Sequence, residues 1–150
     1  MKSKEREILS LFNDITGANL REVTDKYCRF DAIGEGIVAE IKYRNKHYDK
    51  TIIEFDKYSF NKEYSRIKTC SFYYIVGFND EVFCFDISEM DINNYNYEWT
   101  WKEMPRQTEF GNNKDKTYKY VGYISLDKAA IGFKYWLKEN YEGIRIIRRI

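Results

Sequence analysis

Residues 37–44 read IVAEIKYR, and the alternation of apolar and polar side chains in this stretch is typical of a β-strand. Successive side chains of a strand point to opposite faces of a sheet. Glu40, Lys42 and Arg44 therefore share one face, and Ile41 points to the other face. The strand places a carboxylate beside two cations, which makes this face the first candidate for a functional site.

A second acid, Asp31, precedes this strand. The turn Gly34-Glu35-Gly36 between them predicts a hairpin of residues 27–33 with residues 37–44. Two registers are open. In one, Asp31 lies opposite Glu40 and Arg29 lies opposite Lys42, whereas a shift by one residue sends the two acids to opposite faces.

Only the first register makes a metal site. Two carboxylates about 5 Å apart in a cross-strand pair, Asp31 and Glu40, would chelate a hard divalent cation together with a backbone carbonyl, that of Ile41. Mg²⁺ suits carboxylate ligands and retains several waters. Lys42 would then lie beside a metal-bound water.

The rest of the pattern predicts one α/β domain over residues 1–150. Helical spacing predicts helices over residues 4–16, 51–67 and 126–141, and β-prone runs predict strands over residues 20–23, 71–78, 82–87, 95–102 and 118–124. The order is an α-β-β-β-α-β core with additional C-terminal strands and a helix. The second helix would begin at a capping box of Thr51 and Glu54. The side chains expected to pack that helix across the sheet are Ile53, Phe60, Tyr64 and Ile67.

Composition excludes several classes of protein. With 43% hydrophobic residues and a formal charge of +1, the chain is too apolar for a disordered tail and too neutral for a generic polyanion binder, although a local basic face stays open. Three separated cysteines and one histidine give no familiar zinc-ligand spacing, so any metal would be oxygen-ligated. No apolar run is long enough to span a membrane, and we expect a cytoplasmic protein.

The spacing of Asp31 from Glu40-Ile41-Lys42, within this order of elements, resembles the PD-(D/E)XK superfamily of restriction-endonuclease-like nucleases. The resemblance covers residues 4–87, and Phe30 stands where that family has a proline. The segment Glu54-Phe-Asp-Lys-Tyr58 is similar to one in small nucleases of phages and mobile elements.

The resemblance implies a Mg²⁺-dependent nuclease, with Mn²⁺ as a possible substitute, that hydrolyses DNA phosphodiesters. Asp31 and Glu40 would bind the metal, and Lys42 would position or deprotonate the attacking water. The alternative is an inactive member of the family that serves a phage or mobile element as a binding or interaction protein.

Further candidates flank this trio. On the second helix Glu54, Lys57 and Asn61 form one polar stripe that would face the metal, although Glu54 is equally suited to the capping box and Lys57 to solvent. Glu7 of the first helix resembles an extra acid of some family members. It is equally a solvated helix residue.

Several side chains are candidates for contact with nucleic acid. The cations are Arg29, Arg44, Arg106, Lys114, Lys116 and Lys119, with Arg145, Arg148 and Arg149 at the end of the chain. The rings of Tyr95, Tyr97, Trp99 and Trp101 share one strand face, which suits core packing with one exposed ring better than base stacking. His47 suits either a phosphate contact or solvent. The sequence also leaves a homodimer open.

Overall fold

The computed structural model describes residues 1–46, 48–79, 81–91, 96–105, 116–135 and 144–149, with side chains as far as residue 132. In chain order the elements are α1 (Ser3–Thr16), β1 (Arg21–Glu22), β2 (Ala32–Gly34), β3 (Ile37–Arg44), β4 (Lys50–Glu54), α2 (Phe55–Lys68), β5 (Ser71–Phe78), β6 (Glu81–Asp86), α3 (Ile87–Met90), β7 (Glu98–Pro105), β8 (Lys116–Ser125), β9 (Ile131–Tyr135) and β10 (Ile144–Arg149).

These strands form two sheets. The large sheet has seven strands in the order β1-β2-β3-β5-β6-β9-β10, and the small sheet has three in the order β4-β8-β7. In the large sheet β3 and β5 are parallel, and the segment between them contains both β4 and α2. The chain therefore leaves the large sheet after β3, adds a strand to the small sheet, and returns through α2 to β5.

The faces of β3 are buried against different layers. Ala39 and Ile41 pack against α1, whose apolar face includes Ile8 and Phe12. Gly77 of β5 permits the close approach of this helix, since a Cβ there would lie 2.5 Å from Cδ1 of Ile8. The opposite face belongs to a second core formed with α2 and the small sheet. Because side chains alternate, the polar residues of β3 face this second layer.

The structure confirms the register that makes a site. Ala32 pairs with Ala39 and Ile33 with Val38, which puts Asp31 opposite Glu40 at the start of the hairpin. Glu35 and Gly36 both have positive φ, as the primed turns of tight hairpins require.

The predicted strand over residues 27–33 is too long. The chain turns away before Ala32, where an Asp25 side chain accepts a hydrogen bond from Tyr27 N and its carbonyl accepts one from Cys28 N. Arg29 therefore does not pair with Lys42. The three cysteines, Cys28 among them, are free thiols.

The second helix begins later than predicted, and the capping box is wrong. Residues 50–54 form β4, because the consecutive β-branched residues Thr51, Ile52 and Ile53 suit a strand and pair with β8. The helix starts at Phe55.

The predicted packing face of this helix is wrong as well. Phe60 is 43% exposed and Ile67 is 61% exposed, while the buried positions are the polar residues Asn61 and Ser65. Tyr64 alone of the predicted helical set packs at the margin of the core, and Ile53 is buried as part of β4.

The predicted helix over residues 126–141 is also wrong within the described residues. A single 3-10 turn covers Leu126–Lys128, and β9 follows directly. Pairing of Ile131 and Gly132 with β6 outweighs the local helix propensity of this segment, which is only a weak preference. Residues 136–143 lie outside the described part of the chain.

The aromatic rings pack as predicted, although the strand begins at Glu98 instead of Tyr95 and continues to Pro105. Tyr97, just before β7, and Trp99 within it pack against the core, whereas Trp101 is 67% exposed. Tyr95 lies outside the described residues. Among the helices that the structure describes, none has the length and apolarity needed to cross a bilayer.

The exposure pattern of α2 gives the first testable prediction. Asn61 Nδ2 donates to the carbonyl of Arg29 at 3.2 Å, so Asn61→Ala should lower the free energy of unfolding by roughly 1–3 kcal/mol. Ile67→Ser should change it by less than about 0.5 kcal/mol, because the side chain is mostly in solvent. Urea unfolding of both variants measures the difference.

The same experiment at two protein concentrations tests the homodimer. A dimer that covers Phe60 and Ile67 would make Ile67→Ser more destabilising at the higher concentration. That result would contradict an exposed role for this face of α2.

Candidate active site

The polar face of β3 opens into a cavity of about 200 Å³ between the large and small sheets. Glu40, Lys42 and Arg44 all line this space, which we call the Glu40 cavity. The opposite wall comes from β4, β7 and β8 and includes Glu54, Met104 and Lys119. The alternation read in residues 37–44 thus places three charged side chains of one strand in the same cavity.

Glu40 is the most deeply buried of these charged residues, at 1% exposure. Two ammonium groups contact the same carboxylate oxygen, Oε1: Lys57 Nζ at 2.6 Å and Lys42 Nζ at 3.3 Å. The second oxygen, Oε2, is buried with no hydrogen-bond partner among the described residues. A buried carboxylate oxygen without a donor is costly, and it marks a place for a cation or water.

Asp31 is hydrogen-bonded to the main chain of β3 on both sides of Glu40. Its main-chain N donates to the carbonyl of Ala39, and its carboxylate Oδ2 accepts a hydrogen bond from Ile41 N, both at 2.8 Å. The Asp31 carboxylate thus accepts the hydrogen bond from Ile41 N that a neighbouring strand would otherwise accept. The N–H and C=O of one strand residue point to the same neighbour, so the carbonyl of Ile41 also faces the side on which Asp31 lies.

The surroundings of Glu40 change the pKa of its carboxyl. Burial and the neighbouring negative charge of Asp31 raise the pKa of the Glu40 carboxyl, and the two lysines oppose this only in part. Burial acts to lower the pKa of Lys42, but the charges of Glu40 and Asp31 outweigh it and raise that pKa instead. The negative charges of Glu40 and Asp31 thus both act on Lys42, and Lys57 adds a second positive charge beside Glu40.

This donor set fits a hard divalent cation. Oε2 of Glu40, the carboxylate of Asp31 and the carbonyl of Ile41 are all oxygen donors, the kind that Mg²⁺ and Mn²⁺ prefer. The described residues contain no group of three or more His, Cys, Asp or Glu side chains placed to hold a metal. With two carboxylates, the remaining positions of a bound cation would be filled by water.

The accessory candidates separate into two sets. Lys57 reaches Glu40, and Glu54 lies in the same cavity, where Lys119 Nζ contacts its Oε1 at 3.0 Å. Asn61 lies further along α2 and donates to the carbonyl of Arg29 rather than lining the cavity. Glu7 instead pairs with Lys4 on the outside of α1, at 3.7 Å. On α1 it is Glu5 whose charge contributes to the raised pKa of Lys42.

The candidate nucleic-acid contacts also divide. Arg44 lines the Glu40 cavity, and Lys116 is exposed opposite Pro105, which borders that cavity. Arg29 pairs with Asp56 at 3.7 Å, away from the cavity. The remaining candidates, Arg106, Lys114 and His47, and the side chains of Arg145, Arg148 and Arg149, lie outside the described part of the chain.

Sequence reasoning missed Tyr74, Lys102 and Tyr123. Tyr74 is buried beside Glu40, and its hydroxyl donates to the carbonyl of Ile52 at 2.7 Å. That hydrogen bond joins β5 to β4 and so fastens the small sheet over the site. The three residues belong to strands that are distant in sequence, and no local pattern distinguishes them from ordinary core and surface residues.

Comparisons with known proteins support the fold. No family model and no curated protein matches the chain. Among solved structures, the chain is similar to Hjc, a Holliday junction resolvase from the archaeal hyperthermophile Archaeoglobus fulgidus. The TM-score is 0.52 with 14% sequence identity, and the match covers 85% of each chain.

The similarity extends over most of both chains rather than over a local motif alone. The chain accordingly shares the fold of that resolvase, which confirms the restriction-endonuclease-like fold predicted from the spacing of Asp31, Glu40 and Lys42.

Proposed function

We propose that the chain is a metal-dependent nuclease that hydrolyses DNA phosphodiester bonds. The observation that carries this proposal is the Glu40 carboxylate. Its Oε2 is buried with no hydrogen-bond partner in the described part of the chain, the hairpin register puts Asp31 opposite it, and it lines the Glu40 cavity together with Lys42. A protein with only a structural role gains nothing from such an arrangement, since each unpaired buried oxygen reduces stability.

In the proposed mechanism Asp31, Glu40 and the Ile41 carbonyl would hold the metal. A divalent cation bound there would supply an activated water and stabilise the charge that develops on the phosphate. Lys42, on the same strand face as Glu40, would orient the attacking water. Lys57 donates to Oε1 of Glu40 and so fixes the orientation of the carboxylate that would bind the metal through Oε2, which makes Lys57 a positioning residue.

DNA is the proposed substrate because of the fold and the local charge. The structural neighbour is described as a Holliday junction resolvase, which acts on DNA. Four cations line the Glu40 cavity, namely Lys42, Arg44, Lys57 and Lys119, against two acids. The phosphate backbone of a DNA strand would find a basic surface here although the whole chain is nearly neutral.

The second candidate is an inactive protein that uses the same fold for binding. One observation favours it: Lys42 and Lys57 both contact Glu40, so the carboxylate is already paired without a metal. In this case Glu40, Lys42 and Lys57 form a buried ion-pair cluster. Addition of Mg²⁺ would then change neither the melting temperature nor the cleavage of DNA.

Substitution of the acids tests the nuclease directly. Asp31→Ala and Glu40→Gln should abolish Mg²⁺-dependent cleavage of DNA, while Lys42→Ala should still bind the metal yet lose about 10²–10⁴-fold in turnover. Cleavage of single-stranded, duplex and branched DNA is the first measurement. The increase in melting temperature on adding Mg²⁺ is the second, and both acid variants should lose it.

Glu63→Gln is the matched control, because Glu63 is an exposed acid that pairs with Arg66 on the outer side of α2. It should cleave like the parent. If Glu40→Gln cleaves as well as the parent, the activity comes from another site. A parent that shows neither cleavage nor a metal-induced shift supports the binding protein instead.

The raised pKa of Glu40 predicts how stability depends on pH without metal. When the pKa of a carboxyl is higher in the folded than in the unfolded state, the group contributes most to the free energy of unfolding at pH values below its unfolded pKa. This contribution is lost as the pH rises through the folded pKa. Glu40→Gln resembles the protonated form. It should therefore be more stable than the parent at neutral pH in a chelator, with the advantage vanishing near the ordinary carboxyl pKa of 4.5.

Urea unfolding of parent and variant at acid and neutral pH provides the test. The difference between the two proteins isolates Glu40, because the other titrating groups are common to both. A variant that is less stable than the parent at neutral pH would show that Lys42 and Lys57 overcompensate for the burial of Glu40.

A further inference from the structure

A second, larger cavity adjoins the candidate active site. It has a volume of about 860 Å³, and we call it the Tyr123 cavity after the ring of β8 that borders it. Arg44 and Ile52 line both this cavity and the Glu40 cavity. The two spaces therefore lie next to each other along β3 and β4.

One face of the small sheet forms a common wall for both cavities. On β8, Lys119 borders the Glu40 cavity and Tyr123 borders the second one. On β7, Met104 borders the Glu40 cavity and Lys102 borders the Tyr123 cavity. Residues separated by an even number of positions share a strand face, so the wall continues from one cavity to the other without a break in the sheet.

The charged groups of the Tyr123 cavity are mostly cations. Arg44, Lys46, Lys50 and Lys102 line it, against the single acid Asp49. Among the described residues no carboxylate pairs with Arg44, whose guanidinium donates to the carbonyl of Ile52 at 3.4 Å and to the hydroxyl of Tyr74 at 3.5 Å. These long contacts leave the planar guanidinium available to a phosphate, which is its preferred partner.

The same cavity contains aromatic surface. Tyr123 is half-buried, and Lys102 Nζ lies beyond the edge of its ring, 3.1 Å from the hydroxyl and 5.7 Å from the centroid. Tyr48, which is 59% exposed, stands at the border of the cavity. Rings interleaved with cations are the combination that binds single-stranded nucleic acid, the rings for the bases and the cations for the backbone.

We propose that the Tyr123 cavity binds unpaired nucleotides of the DNA strand that is cleaved in the Glu40 cavity. Arg44, which lines both spaces, holds the phosphate between them. This inference rests on the proposed nuclease function and adds a substrate class to it: strands with a single-stranded segment beside the scissile bond.

The shape of the site explains the preference. In a duplex the bases are stacked and present only their edges in the grooves, and a base enters a protein pocket only after it is unstacked. The Tyr123 cavity is concave, and its volume falls within the range of roughly 300–1,000 Å³ typical of small-molecule sites. A single-stranded segment reaches it without the cost of breaking base pairs.

Binding without metal tests the inference separately from catalysis. The affinities of the parent for a fluorescent oligothymidylate, a blunt duplex and a duplex with a single-stranded tail are measured by fluorescence anisotropy in a chelator. We expect tight binding to the oligothymidylate and the tailed duplex, and weak binding to the blunt duplex. Tyr123→Ala should weaken binding to the first two by roughly 5- to 150-fold, the effect of removing one stacking ring.

Two further variants distinguish a loss of binding from a loss of folding in Tyr123→Ala. Lys102→Glu changes an exposed side chain and should weaken the same two substrates, and Tyr123→Phe keeps the ring and should bind like the parent. The matched control is Lys26→Ala with Tyr27→Ala, an exposed cation and ring with Nζ 5.1 Å from the centroid, outside both cavities. It should bind like the parent.

Unchanged affinity in both Tyr123→Ala and Lys102→Glu would overturn the inference, as would blunt-duplex binding that equals binding to the single strand. Neither result concerns the nuclease proposal, which depends on Asp31 and Glu40. Conversely, binding that needs Tyr123 in a protein that cleaves nothing would contradict the nuclease and leave the nucleotide-binding cavity established.

Discussion

A buried carboxylate has to be compensated, and the site of this protein is organised around that requirement. Glu40 is almost completely removed from water, on β3, an interior strand of the large sheet. Its compensation comes from two elements, Lys42 on the same strand and Lys57 on α2. Because loss of either partner would leave charge unpaired in a poorly solvated cavity, the position of α2 relative to β3 is tied to this one group.

The small sheet turns this buried acid into a cavity. Strand β4 departs from the large sheet directly after the polar face of β3, and Tyr74 and Arg44 hold its main chain at Ile52. Strands β7 and β8 then extend the wall with residues that are far away in sequence. The resulting space is lined by four cations and two acids, of which Glu40 is the more deeply buried. Its charge is therefore mostly positive, as a phosphate chain requires.

Local patterns predicted the parts of the fold in which side-chain alternation and turn chemistry agree. The alternation in residues 37–44 and the glycine turn before it led to the correct hairpin, and one of its two open registers is the observed one. The errors fall where local propensity competes with pairing. Residues 51–54 continue a helical spacing but enter a strand, and residues 131–135 pair with β6 instead of extending a helix.

The sequence by itself determined which residues share the face of β3, since the twofold period of a strand leaves no other arrangement for Glu40, Lys42 and Arg44. It also determined the likeness to the PD-(D/E)XK nucleases. Only the tertiary structure decided that Lys57 contacts Glu40 and that Glu7 pairs with Lys4 instead. It also decided that Lys119 borders the Glu40 cavity while Lys102 and Tyr123 border the Tyr123 cavity. The physical reason is that these contacts join elements distant along the chain, whose meeting depends on how the two sheets and α2 pack and not on any local period.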